Sequence, residues 1–156
     1  MLAGHADEIG MTVNYIDENG YIYVRKLGGT NPAITKAQRL TIHTRKGPVK
    51  GVVGSVAPHL MKGESSNGGS NHIQDLFVDI GVNSRKAAEK IIRIGDPITL
   101  NDKFEMLRDD LVIARAFDNR VGTWAVAETI RLLKTSKTKL NVEVCAVANT
   151  MEEVGL

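Results

Sequence analysis

Side chains that can bind metal ions or transfer protons occur in three short segments of the sequence: His5 with Asp7, Asp118, and the pair Glu152 and Glu153. His5 and Asp7 are two residues apart, so at the end of a β-strand both side chains would lie on the same face. In that position His5 can bind a metal ion while Asp7 orients the site around it. A His-x-Asp pair is also common as a structural or solvated pair, and the local sequence leaves both interpretations open.

Asp118 lies between a predicted strand and a predicted helix. A carboxylate in this place can cap the N-terminus of the helix. It also has enough lone pairs to bridge two cations about 3.5–4 Å apart. The local sequence does not separate these two interpretations.

Glu152 and Glu153 are adjacent, and adjacent side chains of a regular strand point to opposite faces. Both can serve one site only where the backbone leaves the strand, which Gly155 permits. One carboxylate would then bind a metal ion while its neighbour accepts a proton from water. The alternative interpretation is a solvated turn.

The long segment between residues 10 and 116 is predicted to be rich in β-strands. Asn19-Gly20 is a strong hairpin-turn signal, and Ser84 and Gly95 are suited to begin and end one helix over residues 85–94. The short strands are predicted at residues 11–16, 21–24, 38–44, 49–53, 76–80, 97–100 and 111–114. Their spacing is typical of a small barrel or sandwich.

Toward the C-terminus the pattern changes to that of an α/β domain. Residues 120–134 are rich in helix formers, and residues 141–148 form a nearly continuous apolar run typical of a buried parallel strand. We therefore predict an α/β domain, represented in part by residues 1–9 and 115–156, with residues 10–114 inserted as a β-rich, barrel-like domain. The candidate residues all fall at predicted strand ends, where ligands of α/β sheets bind.

The composition disfavours several classes of protein. Lys and Arg total 20 against 18 Asp and Glu, and aromatic residues make up 4% of the chain, so we expect no nucleic-acid partner. No run reaches the roughly 20 apolar residues of a membrane helix, and the N-terminus has no signal-peptide pattern, so we expect a cytoplasmic protein without membrane contact. The single cysteine, Cys145, lies in an apolar run, which favours a small buried hydrophobe over a reactive thiol.

A set of motifs that covers essentially the whole chain carries a family resemblance. The motifs are His5-Ala6-Asp7-Glu8-Ile9-Gly10, Leu27-Gly28-Gly29, Gly51-Val52-Val53-Gly54, Leu76-Phe77-Val78-Asp79-Ile80-Gly81, Ile94-Gly95-Asp96, Ala116-Phe117-Asp118-Asn119-Arg120-Val121-Gly122 and Glu152-Glu153-Val154-Gly155. In this order they resemble the tetrahedral and glutamyl aminopeptidases, a family of two-metal metallopeptidases that older labels call cellulase-like or endoglucanase-like.

The resemblance implies a function for each candidate residue. Two divalent metal ions, zinc or cobalt, would be bound by His5, Asp118 and Glu153, with Asp118 bridging the two. Glu152 would be the general base, and Asp7 would hold His5 or its metal ion in place. The implied reaction is the removal of N-terminal residues from peptides. The implied role of the inserted domain is dimerisation, so we expect self-association.

Members of this family are longer and supply a further Asp and His as ligands, so we expect a fragment that is inactive alone. Two other classes stay open. One is a non-catalytic oligomerisation module built on residues 10–114. The other is a glycoside hydrolase that uses two carboxylates, which the single tryptophan and the His-x-Asp motif disfavour. The remaining histidines, predicted to be structural or solvated, are His43, His59 and His72.

Overall fold

The structure, a computed structural model, describes residues 1–56, 72–137 and 139–155. In chain order its elements are β1 (Leu2–His5), β2 (Gly10–Ile16), β3 (Ile22–Leu27), α1 (Pro32–Thr35), β4 (Arg39–Thr44), β5 (Gly47–Ser55), β6 (Leu76–Asp79), α2 (Arg85–Glu89), β7 (Pro97–Leu100), β8 (Glu105–Arg108), β9 (Leu111–Ile113), α3 (Phe117–Thr135) and β10 (Ala146–Asn149). Single 3-10 turns occur at Ile73–Asp75 and Glu152–Val154. None of the described helices is both long and apolar enough to cross a membrane.

The chain forms two compact units. Unit 1 consists of Met1–Glu8 and Asp102–Leu156, and unit 2 consists of Ile9–Asn101. The predicted inserted domain, residues 10–114, therefore extends beyond the end of unit 2. The reason is that β8 and β9 pair with each other in a separate antiparallel sheet instead of adding to the other strands.

Unit 2 is a closed barrel with the strand order β2–β3–β6–β5–β4–β7, and all neighbouring strands are antiparallel. The sequence left a barrel or a sandwich open, and the pairing of β2 with β7 closes the barrel. Its most deeply buried side chains include Met11, Val13, Ile22, Leu40, Ile42, Leu76, Val78, Ile92 and Ile98. Because a closed barrel has no edge strand, unit 2 has a complete core of its own.

The hairpin turn between β2 and β3 forms where the Asn-Gly signal predicts it. One side-chain oxygen of Asp17, Oδ1, accepts the backbone N–H of Asn19 at 3.0 Å and that of Tyr21 at 2.8 Å. Gly20 has a φ of +90°, a left-handed conformation that favours glycine. The turn is therefore fixed by local chemistry that the sequence shows directly.

Helix α2 begins at the predicted residue but ends earlier than predicted. The Oγ of Ser84 accepts the N–H of Ala87 at 3.3 Å and caps the N-terminus. The helix ends at Glu89, five positions before the predicted end at residue 94. Beyond it the chain turns so that Ile92, which is only 1% exposed, enters the core of unit 2.

Unit 1 contains a parallel two-stranded sheet of β1 and β10, against which α3 packs. In this sheet Leu2 lies opposite Ala146, and His5 lies opposite Asn149. Helix and strand approach closely because Gly4 has no side chain: a Cβ at Gly4 would lie 2.7 Å from the carbonyl carbon of Gly122. The strand–helix–strand arrangement agrees with the α/β pattern at the C-terminal end of the sequence.

The predicted buried strand over residues 141–148 differs from the observed one. Strand β10 covers only Ala146–Asn149. Val142 is 70% exposed, and Cys145 is exposed rather than buried. The prediction of burial is wrong for these residues because β10 has only β1 as a neighbour among the described strands.

Candidate metal centre

The candidate site lies at the carboxyl ends of β1 and β10 in unit 1. His5 is the last residue of β1, and its side chain is buried. The pairing continues one step further, since the N–H of Ala6 donates to the carbonyl oxygen of Asn149 at 2.8 Å. Because the two strands are parallel, the residues that follow each of them meet at one edge of the sheet.

Glu152 and Glu153 follow β10 in a 3-10 turn. The backbone leaves the strand direction just before them, at Met151, whose φ of +71° lies in the left-handed region. The sequence indicated that both carboxylates can serve one site only if the backbone leaves the strand at Glu152 and Glu153, and the structure has the turn at these residues. The turn is what allows two adjacent carboxylates to lie at the same site.

Asp118 does not cap α3, because the neighbouring residue does. Asp118 and Asn119 have non-helical backbone angles, and the peptide bond between them is cis. The Oδ1 of Asn119 accepts the N–H of Gly122 at 3.0 Å, three residues on, which is the bond that an N-cap residue makes. Gly122 leaves room for this cap, since a Cβ there would overlap the Asn119 side chain. The Asp118 carboxylate, 89% exposed, is therefore available for another partner.

The distances between the candidate ligand atoms suit a shared cation. The Nε2 of His5 lies 3.2 Å from Oδ1 of Asp118 and 3.8 Å from Oε2 of Glu152. His5, Glu152 and Glu153 each offer a ligand atom within 4.8 Å of the other two. Two ligands of a tetrahedral zinc ion, each about 2.1 Å from the metal, lie about 3.4 Å apart. The two distances from Nε2 of His5 are therefore close to the spacing of two ligands on one ion.

Asp7 joins the two strand ends. Its Oδ2 accepts the backbone N–H of Glu153 at 3.1 Å, and its Oδ1 lies 3.4 Å from Nδ1 of His5. Oδ1 is buried and has no hydrogen-bond partner among the described residues. Asp7 thus positions both the imidazole of His5 and the turn that carries Glu153.

The partners of the two ring nitrogens of His5 favour a bound cation. Nδ1 lies 3.2 Å from the carbonyl oxygen of Asp7, an acceptor that requires the N–H at this nitrogen. In the neutral ring Nε2 then carries a lone pair, yet it faces the carboxylates of Asp118 and Glu152. These lone pairs repel one another unless a proton or a metal ion lies between them. The residues therefore fit a divalent cation at Nε2, with Nδ1 oriented by the protein.

The carboxylates also shift the protonation of the site. Burial alone would lower the pKa of His5, but the Asp7 carbonyl and the charges of Glu152 and Asp118 outweigh it and raise the pKa. Burial would raise the pKa of Asp7, but hydrogen bonds from backbone N–H groups, that of Glu153 first, lower it overall. Burial and then the charge of Glu152 raise the pKa of Glu153. The rise in the pKa of His5 and part of the rise in the pKa of Glu153 reflect a concentration of negative charge that a cation would relieve.

Beside the site lies a group of residues to which the sequence interpretation gave no role. The carboxylate of Glu8 accepts hydrogen bonds from Arg115 and Arg120. The sequence could have indicated this group, because the two arginines flank Asp118 and the glutamate directly follows Asp7.

The other histidines lie elsewhere. His43 is on β4 in unit 2, where its Nε2 lies 2.9 Å from the Oγ1 of Thr99, in agreement with a structural role. His72 is exposed and also belongs to unit 2. The prediction for His59 falls outside the described residues. All five predicted site residues, by contrast, lie in unit 1: His5, Asp7, Asp118, Glu152 and Glu153.

An imidazole and four carboxylates lie together in unit 1, and among them His5, Glu152 and Glu153 form a group that could hold a metal ion. The sequence model of the M42 glutamyl aminopeptidases matches residues 1–156, so the chain belongs to this family. The chain is 35% identical to the putative aminopeptidase FrvX of Escherichia coli (strain K12), over 99% of this chain and 43% of that protein. It is 34% identical to the lysyl aminopeptidase of Pyrococcus furiosus, over 100% of this chain and 44% of that protein.

Solved structures share the fold. The TET aminopeptidase from Thaumarchaeota archaeon SCGC AB-539-E09 superposes with a TM-score of 0.88 at 32% identity, over 99% of this chain and 44% of that one. The TET1 peptidase of Pyrococcus horikoshii, which can assemble into a tetrahedron or a large octahedral shell, superposes with a TM-score of 0.71 at 29% identity, over 83% of this chain and 39% of that one. The chain thus spans less than half the length of these relatives.

Proposed function

We propose that this protein is a metal-dependent aminopeptidase that removes N-terminal residues from peptides. The observation that carries the proposal is the environment of His5: Nδ1 is committed to the Asp7 carbonyl, and Nε2 faces the carboxylates of Asp118 and Glu152. Relatives support it, since proteins 34–35% identical to this chain are named a putative aminopeptidase and a lysyl aminopeptidase. Because the chain spans less than half of their length, the activity of the whole protein is part of the proposal.

In this proposal His5, Asp118 and Glu153 would hold two divalent cations, zinc or cobalt. Imidazole and carboxylate ligands suit either metal. The chemistry that such cations supply is Lewis acidity, which polarises a scissile carbonyl and makes a water molecule more acidic. Three protein ligands are few for two ions, so we expect the affinity and the activity of the 156 residues alone to be low.

Glu152 is the proposed general base. Its side chain is 44% exposed, so it can receive a proton from a water molecule that enters the site, and it lies within 3.8 Å of the His5 ring. The carboxylate would hold that proton and pass it to the amine that leaves. Asp7 would contribute to the reaction indirectly, because its carboxylate contacts His5 and the backbone N–H of Glu153 and so holds both residues in place.

The test is hydrolysis of aminoacyl-arylamides with added zinc or cobalt, before and after treatment with a chelator. The variant Glu152→Gln should lose turnover while it still binds metal, and Glu143→Gln, an exposed residue outside the site, should match the parent protein. A metal-loaded whole protein without any turnover would contradict the proposal. Turnover of a glucan that survives the chelator would instead favour the glycoside hydrolase.

We also propose that the protein self-associates through unit 2. The support is that unit 2 has a closed core and still presents large exposed apolar side chains, among them Ile34 at 66% and Ile94 at 62%. Size-exclusion chromatography with light scattering should show an oligomer, and a monomer at every concentration would contradict this part. An oligomer that binds metal but shows no turnover would favour the non-catalytic module. The cytoplasmic location stays a prediction.

A further inference from the structure

A cluster of opposite charges lies next to the candidate metal centre in unit 1. Glu8, whose side chain is 15% exposed, accepts hydrogen bonds from Nη1 of Arg115 at 3.0 and 3.1 Å, one to each carboxylate oxygen. Nη2 of Arg120 reaches the same carboxylate at 3.4 Å. A mostly buried carboxylate that is held by two guanidinium groups has a well-defined position.

Arg120 also binds the backbone on the other side of Asp7. Its Nε donates to the carbonyl oxygen of Ala6 at 3.1 Å. One guanidinium group therefore holds Ala6 and Glu8, the two neighbours of Asp7. Because the guanidinium is rigid and planar, these two contacts fix the segment that links His5 to Asp7 relative to the first turn of α3.

Asp118 lies directly before that turn, next to the capping residue Asn119. Arg115 and Arg120 lie on either side of Asp118 in the sequence, and Thr123 adds a further link by donating from Oγ1 to the carbonyl oxygen of His5 at 3.1 Å. His5 and Asp118 belong to two separate chain segments, and the arginines join these segments. The arginine contacts therefore help to determine the distance between Nε2 of His5 and Oδ1 of Asp118.

We propose that Glu8, Arg115 and Arg120 are positioning residues of the metal centre. They act through the backbone on either side of Asp7 and on either side of Asp118, and they bind neither the metal nor the substrate. This inference rests on the proposed metal-dependent function. Outer partners of metal ligands typically contribute 10–100-fold to metal affinity, so the loss of the Arg120 contacts should weaken binding by about 10-fold or more.

The test compares Arg120→Lys with Arg131→Lys in the same protein. Both residues lie on α3 and hydrogen-bond to a glutamate, but Arg131 pairs with Glu128 on the same helix, whereas Arg120 pairs with Ala6 and Glu8. Lysine keeps the charge and loses the planar group that reaches Ala6 and Glu8 together. Cobalt titration followed by visible absorption gives the affinity and the coordination spectrum, and thermal unfolding in a chelator gives the metal-free stability.

We expect Arg120→Lys to bind cobalt about 10-fold more weakly with an altered spectrum, and Arg131→Lys to match the parent protein. Equal cobalt affinity in the Arg120→Lys variant would overturn the inference, whatever its stability. If circular dichroism shows that Arg120→Lys does not fold, Glu8→Gln decides by the same titration, and unchanged affinity there overturns it. Failure of the parent protein to bind cobalt would instead contradict the proposed function itself.

Discussion

Replacement of Gly122 by alanine should destabilise unit 1, although alanine is the better helix former. Alanine is favoured over glycine in a helix by about 1 kcal/mol, so propensity alone predicts a gain in stability. In the structure a Cβ at Gly122 overlaps the side chain of Asn119, whose Oδ1 accepts the Gly122 N–H. Loss of this cap costs about 1 kcal/mol, and forcing a methyl group into occupied space costs about 1–3 kcal/mol. The net expectation is destabilisation by about 1–3 kcal/mol.

Urea denaturation measures this effect directly. Trp124 is the only tryptophan and lies on α3, so its fluorescence reports the unfolding of unit 1. The double variant Asn119→Ala/Gly122→Ala is the control: all three heavy atoms nearest to the added Cβ belong to Asn119, so with that side chain removed the alanine should be neutral or stabilising. The capping geometry would be refuted if Gly122→Ala were as stable as the parent protein. It would also be refuted if the double variant lost as much stability as the two single variants together.

Three further predictions concern other parts of the fold. Gly4→Ala places a Cβ 2.5 Å from the backbone nitrogen of Thr123 on α3 and should lower the free energy of unfolding of unit 1 by about 1–3 kcal/mol, whereas Gly29→Ala, with nothing within 4 Å, should change that of unit 2 by less than about 0.5 kcal/mol; urea titrations followed by circular dichroism, which reports both units, compare them. Asp17→Ala removes the acceptor of two turn hydrogen bonds and should lower the stability of unit 2 by about 1–2 kcal/mol in the circular-dichroism titration, and no change would contradict the turn geometry. Burial raises the pKa of Tyr23, so the folded state holds the phenol proton more tightly than the unfolded state does, and the protein loses stability as the pH rises past 10. Tyr23→Phe should therefore lose less stability between pH 8 and pH 11 than the parent protein, and equal losses would contradict this.

The features that could be predicted from the sequence are those with local or periodic causes. The hairpin at Asn19-Gly20 follows from turn chemistry, and the Ser84 cap follows from helix-start chemistry. The position of the candidate site at strand ends follows from the α/β pattern, while the assignment of individual roles came from the family resemblance rather than from spacing.

The remaining features depend on contacts that a linear pattern does not contain. Asp118 and Asn119 are both good capping residues, and only the backbone angles decide that Asn119 makes the cap and leaves Asp118 for the site. The position of β8 and β9 outside the barrel depends on which strands they pair with. The exposure of Cys145 depends on the number of strands beside β10, which an apolar run cannot reveal.

Calorimetric titration of the metal-free protein with zinc tests the central claim most directly. We expect zinc binding to be lost or strongly weakened in His5→Gln, which removes the imidazole nitrogen, and in Asp118→Asn, which removes the negative charge of the carboxylate 3.2 Å away. His43→Gln, a histidine of unit 2 bonded to Thr99, should bind zinc as the parent protein does. Zinc binding that is unchanged in His5→Gln and Asp118→Asn, or no zinc binding by the parent protein, would contradict the account.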